Sequence, residues 1–198
     1  ELSFSEDCIQ HINQDLHEVP LRAAEIDQGT LIKRALPRRH KRLVGAWCCL
    51  DHAGPVSFPQ GDGLDVGPHP HIGLQTFTWM IEGTMLHSDS LGTVDQLIRP
   101  KQVNLMTAGH GISHTEVAPA TETKMHAAQL WIALPDSKIN MAPQFDHYPE
   151  LPVVEKDGVE LLAAKGSAPK GSNLKDGYPE ITSENIEAVL GITLTEEE

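Results

Sequence analysis

The sequence predicts an all-β protein, its strands built into the wall of a barrel or sandwich, with short helices at the periphery. Two observations carry that prediction. From about residue 30 onward, short apolar or alternating runs are punctuated by Gly, Pro and Asp, the pattern of many short strands. Within residues 71–82, Ile72, Leu74, Thr76, Thr78 and Met80 alternate with His71, Gln75, Phe77, Trp79 and Ile81. Both sets are partly apolar and rich in aromatic and β-branched types, which suits a strand covered on both faces.

In chain order, residues 5–18 predict a short helix, with Ser5 as cap and Ile9, Ile12 and Leu16 at helical spacing. Strands are predicted at 31–36, 44–50, 71–82, 85–87, 94–98, 102–106, 113–117, 125–134 and 159–163. Gly83 marks a tight turn before Met85. Residues 165–177 are rich in Gly, Ser, Lys and Pro and read as a linker. Residues 182–190 predict a second short helix, capped by Thr182 or Ser183 and stopped at Gly191. The expected organisation is an N-terminal extension over 1–29, a β domain over 30–164 and a tail over 165–198.

Composition narrows the function classes. The 198 residues hold 15 Lys+Arg against 28 Asp+Glu, a net charge of −13. Direct nucleic-acid binding is therefore not expected, because a basic face is needed to displace counterions. The same charge speaks against docking on anionic membranes. The longest mainly apolar runs, 43–50 and 127–134, are far short of a bilayer span. Six basic residues, Lys33, Arg34, Arg38, Arg39, Lys41 and Arg42, read as a charged loop around Pro37. Cys8, Cys48 and Cys49 make no disulfide framework, and the adjacent pair reads as small buried hydrophobes. A reducing, cytoplasmic setting is expected from this cysteine usage.

Histidine is the outlier, at 11 residues, and five of them fall between His69 and His114. His69-Pro70-His71 places two imidazoles on one side of an extended segment, and Pro70 biases His69 to that extended backbone. His114-Thr115-Glu116 repeats the spacing after the glycine-rich turn at 107–111. Two neighbouring strands would close a site of three neutral imidazoles and one carboxylate: His69, His71, His114 and Glu116. Such a set suits a first-row divalent metal, and iron(II) above all if coordination positions stay open. Structural zinc more often recruits cysteine. His87 is a candidate outer group or a solvated hairpin residue, and His110 lines the site mouth or simply sits in its turn. No Gly-x-Ser-x-Gly elbow, Walker loop or Cys-x-x-Cys occurs.

On these residues the sequence resembles the pirin family of the cupin superfamily. The resemblance rests on Asp65-Val66-Gly67-Pro68-His69-Pro70-His71-Ile72-Gly73 and on Met106-Thr107-Ala108-Gly109-His110-Gly111-Ile112-Ser113-His114-Thr115-Glu116, together and in order. The elements Leu50-Asp51-His52-x-Gly54-Pro55, Ile81-Glu82-Gly83, His87-Ser88-Asp89-Ser90, Leu130-Trp131-Ile132-Ala133-Leu134-Pro135 and His147-Tyr148 continue it. It implies a cupin double-stranded β-helix, or jelly-roll barrel, over 30–164, with His69, His71, His114 and Glu116 as metal ligands. Gln75 stands where the general cupin motif has a glutamate and becomes an outer hydrogen-bonding group. Position 110 is His where many members carry Arg. The family continues into a second cupin domain, for which this chain has no room. A homodimer or a protein partner is the expected cover for the exposed barrel face.

Two functions follow from the resemblance. One is an iron-dependent dioxygenase that opens the ring of a flavonol such as quercetin, or of a similar small aromatic. Glu116 would then be its catalytic base, and manganese, nickel, copper or zinc the other candidate metals. Phe77 and Trp79 would be pocket walls or core residues. The alternative is a non-enzymatic, iron-dependent redox-sensing regulator that acts through protein partners.

Overall fold

The computed structural model describes residues 19–26, 30–151, 153–156 and 159–162. The strands are β1 (Arg22–Ile26), β2 (Thr30–Leu36), β3 (Trp47–Ser57), β4 (Asp65–His71), β5 (Leu74–Glu82), β6 (Met85–Asp89), β7 (Gln96–Ile98), β8 (Val103–Thr107), β9 (Ile112–Val117), β10 (Lys124–Ala133), β11 (Gln144–Tyr148), β12 (Val153–Lys156) and β13 (Val159–Leu162). The larger sheet runs β1-β2-β3-β10-β5-β8-β11 and the smaller runs β4-β9-β6-β7, antiparallel throughout. Residues Pro20–Leu151 form one compact unit, while β12 and β13 pair as a hairpin in a separate unit.

The jelly-roll barrel with short helices is corrected by this arrangement. Both main sheets have two free ends in their strand order, so neither closes on itself. No helix occurs among the described residues, and residues 5–18 and 182–190, to which helices were assigned, lie outside them. On β5 the face of Thr76, Thr78 and Met80 is buried, while Phe77, Trp79 and Ile81 on the other are only half-buried, so the periodicity of 71–82 located one buried face and did not distinguish facing open sheets from a closed wall. No helix among the described residues is long and apolar enough to cross a membrane.

The core lies between the sheets. Met80 on β5 and Met125 and Ala127 on β10 meet Met85 on β6, Ile98 on β7 and Leu64 in one buried cluster. A second cluster joins Met106 on β8 to Ala108 and Ile112, with Phe145 of β11 against it. On β5, alternation turns Thr76, Thr78 and Met80 toward the smaller sheet and Gln75, Phe77 and Trp79 away from it.

Several sequence boundaries shift. The predicted strand at 71–82 is two strands, because Gly73 takes a positive φ and turns the chain between β4 and β5. Of β4 only the extended His69-Pro70-His71 segment was expected, and the strand begins earlier, at Asp65. Of the basic group at 33–42, Lys33 and Arg34 lie on β2, and Arg34 clamps Asp51 of β3 with both Nε and Nη2 at 2.6 Å. Cys49 is buried as expected, and burial, then Asp51, push its thiol up to about 12. Met80 is fully buried at the centre of the inter-sheet core. Met80→Ala is expected to cost about 2–5 kcal/mol of stability, read as a lowered urea midpoint at unchanged slope.

Candidate metal centre

β4 and β9 pair with His69 directly opposite His114 and His71 opposite Ile112. Alternation puts His69 and His71 on one face of β4, and His114 and Glu116 on the matching face of β9. The register shifts between Val66 and His69, where Gly67 and Pro68 absorb one extra residue, so Val66 rather than Gly67 faces Glu116. Before β9, Gly109 adopts φ 52°, and a Cβ there would collide with the carbonyl oxygen of Met141. Its own carbonyl accepts the Gly73 amide at 2.8 Å, which ties the turn before β9 to the turn after β4.

The three imidazoles converge. One ring nitrogen from each of His69, His71 and His114 lies within 4.8 Å of the others. The Nε2 atoms of His71 and His114 stand 3.1 Å apart. Two imidazole ligands at about 2.0–2.1 Å from one ion, with an angle between square and tetrahedral, need a separation of about 2.8–3.4 Å. The donor set therefore fits a first-row divalent ion.

Outer hydrogen bonds settle which nitrogen faces inward. Nδ1–H of His69 donates to the Gly67 carbonyl at 2.9 Å, leaving Nε2 as the free donor atom. Asp89 is fully covered and accepts the amides of Leu91 and Thr93 at Oδ1. Burial acts to raise its carboxyl, but hydrogen bonds from His87, Thr93 and the Leu91 and Thr93 backbone outweigh it and hold the pKa low. Ionised Asp89 accepts only, so His87 donates Nε2–H to Oδ2 at 3.0 Å. Nδ1 of His87 is then the acceptor for Nδ1–H of His114 at 3.3 Å, and Nε2 of His114 is left free toward His71. Phe145 stacks on His87 at 4.1 Å and 8°, fixing the ring plane. Trp131 stands edge-on to His71 at 5.2 Å, and its buried indole N–H has no hydrogen-bond partner among the described residues.

Burial keeps His71 and His114 neutral. Desolvation, then the charge of His69, lowers His71 from 6.5 to about 4. Desolvation, then His69, His87 and His71, lowers His114 to about 2. Glu116 is not in the convergent group: its Oε1 accepts the Thr78 hydroxyl at 3.1 Å. Its carboxyl lies deep in the fold, where desolvation raises the pKa against smaller lowering by Thr78 and His69. The residue as a whole is half-buried.

Of the sequence candidates, His87 proves an outer hydrogen-bonding partner and not a solvated one. His110 is exposed in its turn, with its amide on Met141. Gln75 donates to Thr107 at 2.8 Å on the face of β5 turned away from the centre. Phe77 and Trp79 share that face, which corrects the pocket-wall alternative. Thr78, Asp89, Trp131 and Phe145 went unrecognised as neighbours of the site. For Thr78 a signal existed, since it alternates with Phe77 and Trp79.

The comparisons with known proteins agree with this geometry. Residues 29–132, just over half of the chain, match the Pirin family. The chain is 57% identical over 167 residues to a Pseudomonas aeruginosa protein named as a candidate quercetin 2,3-dioxygenase, covering 84% of this chain and 53% of that protein. It is 40% identical over 158 residues to a pirin-like protein of Caulobacter vibrioides, covering 72% and 54% respectively. A crystal structure of quercetin 2,3-dioxygenase from Acinetobacter baumannii superposes with a TM-score of 0.72 at 80% identity, over 75% of this chain and 49% of that one. The chain thus spans about half the length of the curated relatives it matches.

Two outcomes follow from the centre. Below pH 6.5 the unfolded metal-free chain takes up protons on His71 and His114 that the folded chain refuses. Stability is therefore fully present above 6.5 and falls as the pH drops toward about 4 and, for His114, about 2. Urea midpoints between pH 7 and 5 check this, and a flat profile contradicts it. Asp89→Asn removes the ionised acceptor that orients His87 and, through it, His114. A loss of about 10–100-fold in divalent-metal affinity is expected, read by competition with a chromophoric chelator.

Proposed function

The chain belongs to the pirin family, and from that premise we propose that it acts as an iron-dependent dioxygenase on a flavonol such as quercetin, or a similar small aromatic. The observation that carries the reading is the convergence of three imidazoles, His69, His71 and His114, with the buried carboxylate of Glu116 on the same strand face as His114. Iron(II), held by His69, His71 and His114, would supply a redox-active Lewis acid. The names of the Pseudomonas and Acinetobacter relatives support quercetin as the substrate to try first.

The chain's own groups divide the remaining work. His69, His71 and His114 present Nε2 toward one another, and burial holds His71 and His114 neutral. Glu116 serves as the fourth ligand or as the base that takes the substrate hydroxyl proton. Its raised pKa suits the second role, because a carboxylate made more basic than usual takes the substrate proton more readily. Thr78 donates to Oε1, which leaves Oε2 as the atom that receives the proton. The unpartnered indole N–H of Trp131, beside His71, is a donor that a phenolic oxygen would satisfy.

Oxygen consumption with quercetin tests the reading. Iron-loaded protein is expected to take up oxygen as the flavonol absorbance is lost, and His114→Ala to abolish both metal retention and uptake. Absence of uptake with iron, manganese, nickel and copper alike would overturn the assignment.

A further inference from the structure

We propose that the opposite face of the larger sheet carries a second divalent-metal site, formed by His52 of β3 and His126 of β10. It is independent of the reading given above and uses none of its residues.

The placement follows from register. Gln129 pairs with Thr78, whose hydroxyl reaches Glu116, so this pair faces the smaller sheet. Ala128 and its partner Trp79, one residue along, therefore face away. His52 pairs with Ala128, and His126 lies two residues before Ala128, which makes the two histidines diagonal neighbours on that outer face. The ladder is irregular around them. Ala127 pairs with Ala53 and Met125 with Val56, so β3 carries an extra residue opposite His126. Gly54, in that interval, has φ 84°, and a Cβ there would collide with the Met125 carbonyl oxygen. The backbones thus approach closely where the two rings must meet, and bulges of this kind re-aim side chains.

The rings are set for shared coordination. Their Nε2 atoms are 2.7 Å apart, and the rings meet edge to face at 4.8 Å and 68°. Opening that gap by a few tenths of an ångström reaches the roughly 2.8–3.4 Å that two imidazoles on one ion require. Both pKa values are lowered, His52 by burial, then His126 and Lys33, and His126 by burial against the raising charge of Glu82. Two neutral imidazoles with waters completing the shell favour zinc(II), nickel(II) or copper(II) over harder ions. Glu82 pairs with His126 in the β5–β10 register and is a candidate oxygen ligand once its carboxylate releases Lys124, now at 2.8 Å. Lys33 lies opposite His52 and opposes a dication there. The site is accordingly expected to be weaker than the three-histidine centre.

Zinc(II) titration of the full chain with calorimetric readout tests the proposal. Two equivalents are expected for the unsubstituted chain, one for His114→Ala, and one for the His52→Gln, His126→Gln pair. Replacing either outer histidine should weaken the second equivalent by at least about tenfold, since loss of even an outer partner costs that much. Quercetin-dependent oxygen uptake should be unchanged in the outer pair variant, so failure here is distinguishable from failure of the dioxygenase reading. A readout independent of substitution is copper(II) added to the unsubstituted chain, which should broaden the ring resonances of His52 and His126 beyond the first equivalent. A single zinc equivalent, two equivalents retained at unchanged affinity in the pair variant, or sharp His52 and His126 resonances would each overturn the proposal.

Discussion

The pairing of β4 with β9 holds His69 opposite His114, and because side chains alternate with period two, a slip of one residue would turn one strand's ligands to the wrong face. Several local features pin this register. Pro70, opposite Ser113, has no amide to offer an alternative ladder. The Ser113 hydroxyl donates to the His69 carbonyl at 3.3 Å, and the Ser113 amide donates to the Ser90 hydroxyl at 3.2 Å. The extra residue at Gly67-Pro68 is absorbed outside the His69–His114 pair, so it moves only what faces Glu116. Gly109 lets the turn before β9 press against Met141, where any side chain would collide.

Register alone would not make a metal centre. Three imidazoles crowded together in water would titrate near their ordinary value and repel one another when protonated. Burial removes that outcome by penalising the charged form, and the mutual charge effects of His69, His87 and His71 on His114 act in the same direction. The cost is a fully buried ring at His114 and half-buried rings at His69 and His71, and outer groups fix one nitrogen each on His69 and His114. A backbone carbonyl serves His69, and a buried carboxylate, acting through His87, serves His114. The chain from Asp89 to His114 can run in one direction only, because its terminal group is ionised and cannot donate.

This explains what was legible in the sequence. The spacing His69-Pro70-His71 and His114-Thr115-Glu116 was readable because a strand converts i, i+2 into one face with no tertiary information. The pairing of those strands was also suggested, since both segments flank glycine-rich turns. The openness of the sheets was not legible: apolar residues on both faces of β5 suggested cover on both, yet only the face of Thr76, Thr78 and Met80 is buried throughout, and alternation cannot say whether the covering sheet is the same one curled round or another. Phe77 and Trp79 looked like pocket walls for the same reason, since a period of two does not label which face looks inward. The role of Asp89 was hidden because its importance lies in what it does two bonds of the network away, through a ring that also looked like an ordinary hairpin histidine. Glu116 was legible as a member of the same face as His114, but the competing hydroxyl of Thr78 belongs to the other sheet and leaves no mark on the local pattern.

The half-length of the chain relative to its curated relatives bears differently on metal holding and on substrate choice. The three converging histidines, the carboxylate, and the groups that orient them come from β4, β5, β6, β9, β10 and β11, all within the compact unit Pro20–Leu151. Metal affinity depends on these short hydrogen bonds and on local desolvation, both of which fall off within a few ångströms. Substrate selection depends on surfaces that extend as far as the aromatic ligand does, and these need not lie within one unit. The two properties are therefore separable by physical range. A chain of this extent carries what is needed to present the histidines, while the fit of a particular aromatic ring is set by walls for which the metal centre makes no demand.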